Sequence, residues 1–239
     1  MRKMLSLARA CIDRYAMIAP DDKIVVGVSG GKDSLTLLAV LAELRRFYPH
    51  PFELEAVSLA MGFEGMDFEP VAQLCRRLDV PYTVRETNIK QVVFDIRQEK
   101  NPCSLCAKLR RGALNRAATE LGANKVALGH HQDDAVETFM LSLLYEGGIR
   151  CFQPTTFLDR TGVTQIRPLL FVKERQIRNF AIRQALPVVH NPCPADKHTK
   201  RQEVKDLLLE LEARYPTLRE NIFGGLQTSE LKGWKPERP

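Results

Sequence analysis

Residues 23–34 run KIVVGVSGGKDS. After the leading Lys, residues 24–28 are apolar and mostly β-branched, the pattern of a strand buried on both faces. Residues 29–34 follow with two glycines and two serines, and from Ser34 to residue 47 apolar positions recur at helical spacing. A glycine turn between a buried strand and a helix aims backbone N–H groups at an anion. The helix N-terminus adds unpaired donors and the positive end of its dipole. The Ser29 and Ser34 hydroxyls can donate to the same oxygens. The stretch therefore predicts a phosphate cradle, against the plainer reading of a turn in which Asp33 or Ser34 caps the helix. It is not the Walker-type loop, because Asp33 follows Lys32 and Val26 stands where the first Gly belongs. An acid beside a phosphate repels it unless a cation intervenes, so Asp33 points to Mg²⁺.

The pattern repeats outward from this loop. Strands are expected at 52–61, 81–86 and 125–128, alternating with helices at 68–78, 105–121 and 133–145. Such alternation predicts an α/β fold: an open, mostly parallel sheet with helices on both faces. A helix over 2–18 precedes it. Beyond Gly147-Gly148 come a last short strand at 164–167 and helices at 173–184, 199–214 and 216–226. The expected organisation is an N-terminal helix (1–20), an α/β nucleotide-binding domain (21–170), a small helical C-terminal part (171–231) and a loose tail (232–239).

Composition narrows the class. The chain has 239 residues, 44% hydrophobic and 27% charged, which is ordinary globular usage. The longest apolar runs, such as 35–44, are far shorter than the ~18 residues that cross a bilayer. The N-terminus lacks the apolar core of a signal peptide, so a cytoplasmic location with no membrane partner is expected. The net charge of +6 tilts the partner class toward nucleic acid. Six cysteines in a reducing compartment are not expected to form structural disulfides.

Two further segments carry chemistry. Residues 129–134, GHHQDD, follow a strand and open a helix, so they lie on the same rim as 29–34. Asp133 and Asp134 can cap that helix, work with a metal, or both. The end of the second strand, residues 58–61, is expected on the same rim, which the resemblance given below makes the neighbourhood of an adenine. The third segment is Cys103-Ser104-Leu105-Cys106 at a helix start, where the dipole favours thiolates. Cys193 stands in a matching Asn-Pro-Cys context. Three cysteines can hold a [4Fe–4S] cluster with one iron open, or zinc with His190, His198 or water as fourth ligand, and a redox dithiol is a further option. Cys11 and Cys75 sit on apolar helix faces and are expected in the core. Cys151, after the Gly147-Gly148 turn, is a further candidate for a fourth ligand or a sulfur carrier. Lys108, Arg110, Arg111 and Arg116 follow the CxxC, and Lys197, Lys200, Arg201 and Lys205 follow Cys193. Both sets can solvate a helix face or contact an RNA backbone.

The SGGKDS string at 29–34 resembles the PP-loop of the ATP pyrophosphatase superfamily, and GHHQDD resembles its tRNA-modifying branch. With CSLCAKLRRG at 103–112, IRPL at 166–169 and Cys193, the chain is similar to the tRNA 2-thiocytidine synthetase (TtcA) family. That resemblance implies ATP-dependent thiolation of a tRNA cytidine at position 32, with ATP, Mg²⁺ and a [4Fe–4S] cluster as cofactors. It implies tRNA and a sulfur donor (a cysteine desulfurase or sulfide) as partners, and a possible homodimer. Carried onto this chain, it assigns catalysis to Lys32, Asp33, Arg110, Asp133 and Asp134, and nucleotide binding to Ser29, Gly30, Gly31, Lys32, Asp33, Ser34, Leu59, Met61, Gly129 and His130. The cluster would bind Cys103, Cys106 and Cys193, the Mg²⁺ Asp33, and the tRNA Lys108, Arg110, Arg111 and Arg116. Relatives can carry a second cysteine near the late one, which is absent here. Two other classes fit parts of the pattern. One is a sulfur-free PP-loop ligase of the lysidine synthetase type, which the three cysteines suit poorly. The other is a zinc-stapled RNA-binding module.

Overall fold

The structure is a computed structural model that describes residues 1–98, 102–189, 193 and 200–235. Its elements are α1 (Arg2–Arg14), β1 (Asp22–Gly27), α2 (Lys32–Leu44), β2 (Phe52–Ala60), α3 (Glu69–Arg77), β3 (Tyr82–Glu86), α4 (Pro102–Glu120), β4 (Lys125–Ala127), α5 (Gln132–Tyr145), β5 (Thr155–Leu158), β6 (Val163–Ile166), α6 (Glu174–Arg183), α7 (Lys200–Arg214) and α8 (Leu218–Thr228). The six strands form one sheet in the order β3-β2-β1-β4-β6-β5, parallel except for β5, which pairs antiparallel with β6. This is the mostly parallel α/β sheet the alternating pattern implies.

Alternate residues of the central strands feed two cores, which is why the strands carry continuous apolar runs. Ile24, Val26, Leu54 and Ala56 pack under α1, α2 and α6. Val25, Val57, Val126 and Val163 pack against Leu114, Ala117 and Ala118 of α4 on the opposite face. The chain leaves β1 toward β2 on one side and later adds β4 on the other, so the strand order reverses at β1. In open α/β sheets that reversal opens a crevice at the strands' C-terminal ends. Residues 29–34 follow β1 and residues 129–134 follow β4, so both segments meet at this crevice.

Three features depart from expectation. The edge strand β5 and a π-helical turn over Gln91–Ile96 were not foreseen. The tail is not loose at its start. Trp234 is fully buried, its Nε1 donates to the Phe152 carbonyl at 2.9 Å, and its ring meets Phe223 edge-on. An indole buries more apolar area than any other side chain, enough to anchor a short segment. Residues 236–239 lie outside the described residues. No helix among the described residues is long and apolar enough to cross a membrane.

Candidate active site

The loop after β1 is built as an anion seat. Gly31 precedes α2 in an extended conformation and no side chain caps the helix, so neither Asp33 nor Ser34 acts as N-cap. The first amides of α2 therefore lack a side-chain acceptor, the condition an incoming phosphate satisfies. The Ser29 N–H donates to Ser34 Oγ at 3.1 Å, the two hydroxyls lie 3.2 Å apart, and Ser34 Oγ donates to the Gly31 carbonyl. The hydroxyls thus tie the loop together. Gly30 needs its glycine, with φ at +80° and a Cβ that would fall 3.1 Å from Val189 Cβ. The Val189 N–H donates to the Gly30 carbonyl at 3.0 Å. That bond brings the chain back to the rim four residues before Cys193.

Gly129 explains why the second segment begins with glycine. A Cβ there would lie 3.0–3.1 Å from the backbone of Asp33 and Ser34. The two loops touch main chain to main chain. His131 caps α5: its backbone N–H donates to Asp134 Oδ2 at 2.9 Å, and the Asp134 N–H donates to His131 Nδ1 at 3.4 Å. His131 Nε2 faces Asp134 Oδ2 at 3.4 Å and Asp33 Oδ1 at 3.7 Å. Asp33 Oδ1 is buried and makes no hydrogen bond among the described residues.

A charged network from the C-terminal helices closes the crevice. Lys32 Nζ lies 3.1 Å from both Asp33 Oδ2 and Glu174 Oε1, and Lys205 Nζ lies 2.7 Å from Glu174 Oε2. Burial alone would raise the Glu174 carboxyl, but Lys205 and Lys32 hold it down at about 2. Burial disfavours the Lys32 ammonium, and Asp33 and Glu174 more than restore it. Arg201 spans Asp134 and the buried Glu137, at 3.4 and 3.3 Å. Burial, then Asp134, raises the Glu137 carboxyl.

These groups share one cleft of about 450 Å³ with the cysteines. Lys32, Asp33, His131, Asp134, Glu174, Arg201 and Lys205 form one side, and Cys103, Cys106, Cys193, Arg110, Met61 and Phe94 line it too. Cys103 is exposed, and Cys106 and Cys193 are half-buried. Burial raises the Cys106 thiol and the neighbouring Arg110 opposes that rise, with Cys193 and Cys103 close enough to add their own charge. No three His, Cys, Asp or Glu side chains among the described residues are drawn in tightly enough to hold a single metal ion. Three thiols open to one cleft, with a guanidinium beside them, do fit a cluster that takes one thiolate at each of three irons. Asp33 Oδ1, buried without a hydrogen bond among the described residues, and Asp134 in the same cleft fit a hard cation such as Mg²⁺.

The structure places several of the expected residues away from the cleft. His130 does not reach the cleft: its ring stacks on Phe152 at 4.9 Å, and burial, then Arg167, lowers it to about 4. The cleft histidine is His131. Asp133 does not line the cleft: it accepts the N–H of Glu174, the first residue of α6, at 2.7 Å and pairs with Arg219 at 3.3 Å. Leu59 packs beneath the rim, while Met61 lines the cleft. Of the basic set on α4, Arg110 lines the cleft, and Lys108, Arg111 and Arg116 are exposed outside it. Arg167 of the IRPL string is structural, donating to the Gln153 carbonyl at 2.6 Å. Cys151 is half-buried and its Sγ donates to the Ala135 carbonyl, so it stands apart from the cleft cysteines. His190, His198 and Lys197 lie outside the described residues. Glu174 and Glu137 were missed; each hides in a helix whose pattern shows only an amphipathic face.

Sheet, loop and cleft together define a nucleotide-binding enzyme of the PP-loop class. The family model for the PP-loop domain matches residues 4–212. A tRNA-cytidine(32) 2-sulfurtransferase from Pseudomonas putida is 39% identical over 228 residues, covering 95% of this chain and 83% of that protein. The enzyme of the same name from Pelobacter propionicus is 38% identical, covering 94% and 85%. Among solved structures, the U34-tRNA thiolase NcsA from Methanococcus maripaludis, with its [4Fe–4S] cluster, superposes with a TM-score of 0.75 at 26% identity, over 92% of this chain and 76% of that one. This chain belongs to the PP-loop family, in its branch of tRNA 2-sulfurtransferases.

Proposed function

We propose that this tRNA-thiolating enzyme uses ATP to adenylate the C2 oxygen of a tRNA cytidine, at position 32, and replaces that oxygen with sulfur. One observation carries the reading: Lys32, Asp33 and Asp134 line the same cleft as Cys103, Cys106, Cys193 and Arg110. A phosphate seat and a thiolate set in one cleft suit a reaction that activates an oxygen and then displaces it with sulfur.

The C2 oxygen attacks the α-phosphorus of ATP and pyrophosphate leaves. Sulfide then forms the C–S bond at C2 as the C–O bond breaks, and AMP departs with the original oxygen. No electron is gained or lost overall. The free amides of α2 and the Lys32 ammonium would take up the pyrophosphate charge. Asp33 and Asp134 would hold Mg²⁺. His131, fixed by its capping box, would keep the two carboxylates apart and oriented. Arg110 would favour the Cys106 thiolate, and exposed Lys108, Arg111 and Arg116 would meet tRNA phosphates beside it. A [4Fe–4S] cluster on the three thiolates would supply sulfur at the oxidation level of sulfide next to C2.

The test is a cysteine series in anaerobically purified protein with iron supplied. Wild type should carry iron and acid-labile sulfide with broad visible absorption, form 2-thiocytidine in tRNA, and release AMP and pyrophosphate. Single Ser substitutions at Cys103, Cys106 or Cys193 should each lose cluster and thiolation. Cys11, Cys75 and Cys151 are pushed by burial to about 12, 11 and 12, and Ser there should leave the cluster in place. Stoichiometric zinc, accumulation of ADP, or a Cys193→Ser protein with a normal cluster and activity would each overturn the reading.

A further inference from the structure

A second cavity, of about 480 Å³, lies between the start of α1 and the length of α6. Its cationic side chains are Lys3, Lys173, Arg175 and Arg183, and among the described residues that line it there is no Asp or Glu. A surface with ordinary charge mixing would set acids among four cations. Lys173 is already paired with Glu220. Lys3, Arg175 and Arg183 are exposed, and their side chains have no hydrogen bond or ion pair among the described residues. Three unneutralised cations held around one groove repel each other and destabilise the free protein slightly, a cost that an anionic ligand removes. Asn179 adds an amide, and buried Phe180 forms part of the floor.

The position of the groove selects the ligand. Lys173 and Arg175 flank Glu174, which lines the nucleotide cleft, so cleft and groove lie on two sides of the same helix turn. Arg175 and Arg183 are eight residues apart on α6, roughly 12 Å along the axis. That distance spans several phosphates of a nucleic-acid strand, which carries one charge per ~3.4 Å of helix axis. The α4 cations lie on the opposite face of the sheet from α1 and α6. A polyanion laid across the strands' C-terminal edge would meet cations on both faces, with the cleft between them.

We infer that the α1–α6 groove is a second tRNA-backbone site, taking phosphodiesters of the substrate outside the reacting nucleotide. This rests on tRNA being the substrate. The three cations act as point charges on phosphates, so they set affinity and salt dependence rather than base choice.

The experiment measures binding of a fluorescently labelled, unmodified tRNA transcript to the full-length protein over a range of salt concentrations. The variants are Lys3→Glu/Arg175→Glu/Arg183→Glu, the same triple with Gln, and Arg175→Lys/Arg183→Lys. All three sites are exposed, so the unfolding transitions should match wild type. The Glu triple should bind about tenfold or more weakly near physiological salt, with a salt slope shallower by about 2 to 3, since about one counterion is released per phosphate contact. The Gln triple should fall between, and the Lys double should bind like wild type because charge is kept. Unchanged affinity and slope in the Glu and Gln triples would overturn the groove while leaving the thiolation reading intact. A wild-type protein that does not bind tRNA at all would overturn both.

Discussion

At Gly129 a single methyl group decides whether two loops can meet. Alanine there would press its Cβ to within 3.0–3.1 Å of the Asp33 and Ser34 backbone, and main chain cannot swing aside as a flexible side-chain tip does. Gly129→Ala should cost about 1–3 kcal/mol, the usual penalty of overpacking, and should weaken ATP binding more than tRNA binding because the phosphate loop moves first. Urea unfolding and nucleotide titration check this, and an alanine variant with normal ATP affinity would show that the loops are not in register. His130 makes a different claim. Burial and Arg167 hold it neutral in the folded protein, at about 4, against an ordinary value near 6.5. The folded state therefore binds fewer protons than the unfolded chain between these values. Its contribution to stability is complete above about pH 6.5 and is lost as pH falls toward about 4. His130→Phe removes that loss while keeping a ring against Phe152. Relative to wild type, the variant should gain about 1–2 kcal/mol on going from about pH 7.5 to about pH 5. A stability difference that does not change with pH would place the imidazole in water rather than in the packed layer.

At the scale of elements, legibility followed the physics that each element obeys. The strand at 23–28 was readable because a strand buried on both faces must be apolar throughout, and the structure has it at Asp22–Gly27. The helix start at the phosphate loop was readable from its glycines. The four-residue β5 was not, because Thr155 and Thr156 are equally at home in a loop and only pairing with β6 fixes them. The turn at Gln91–Ile96 has apolar residues too closely spaced for either regular period, and its Val93 is buried by contact with Ile89 and with Met61, which lies far back in the chain at the end of β2. The site was half legible. Motif positions bring Lys32, Asp33, Asp134 and the CxxC to one rim. Which of two adjacent residues faces the cleft depends on the cap geometry at the start of α5, and that geometry reverses His130 with His131 and turns Asp133 toward Arg219. Glu174, Arg201 and Lys205 join the cleft only because α6 and α7 fold back over it, a long-range event with no local sequence signal.

At the scale of the whole molecule, the parts meet at Trp234. Its indole is fully buried against Phe223 of α8, its Nε1 holds the Phe152 carbonyl, and its own carbonyl accepts the Tyr15 hydroxyl at 3.3 Å just beyond α1. Tyr15 in turn packs edge-on to Phe171, in the loop that leads to α6. One residue, through its indole and its carbonyl, thus joins the N-terminal helix, the C-terminal helices and the loop before β5. Phe152 also stacks on His130, whose neighbour His131 sits in the cleft. Trp234→Ala should cost about 3–5 kcal/mol in urea unfolding, as large aromatic truncations do when the site cannot collapse. Trp234→Phe should cost less, about 1–2 kcal/mol, chiefly from the lost Nε1 donor and the Phe152 carbonyl it leaves unpaired. Hydrogen exchange should localise the alanine effect to α1, α8 and residues 151–153, with the central strands still protected, because β1, β2 and β4 take their burial from α2 and α4. Protection lost evenly across the sheet would mean that Trp234 belongs to the central core instead of joining its periphery, and a cost below about 1 kcal/mol would mean that the indole is not packed at all.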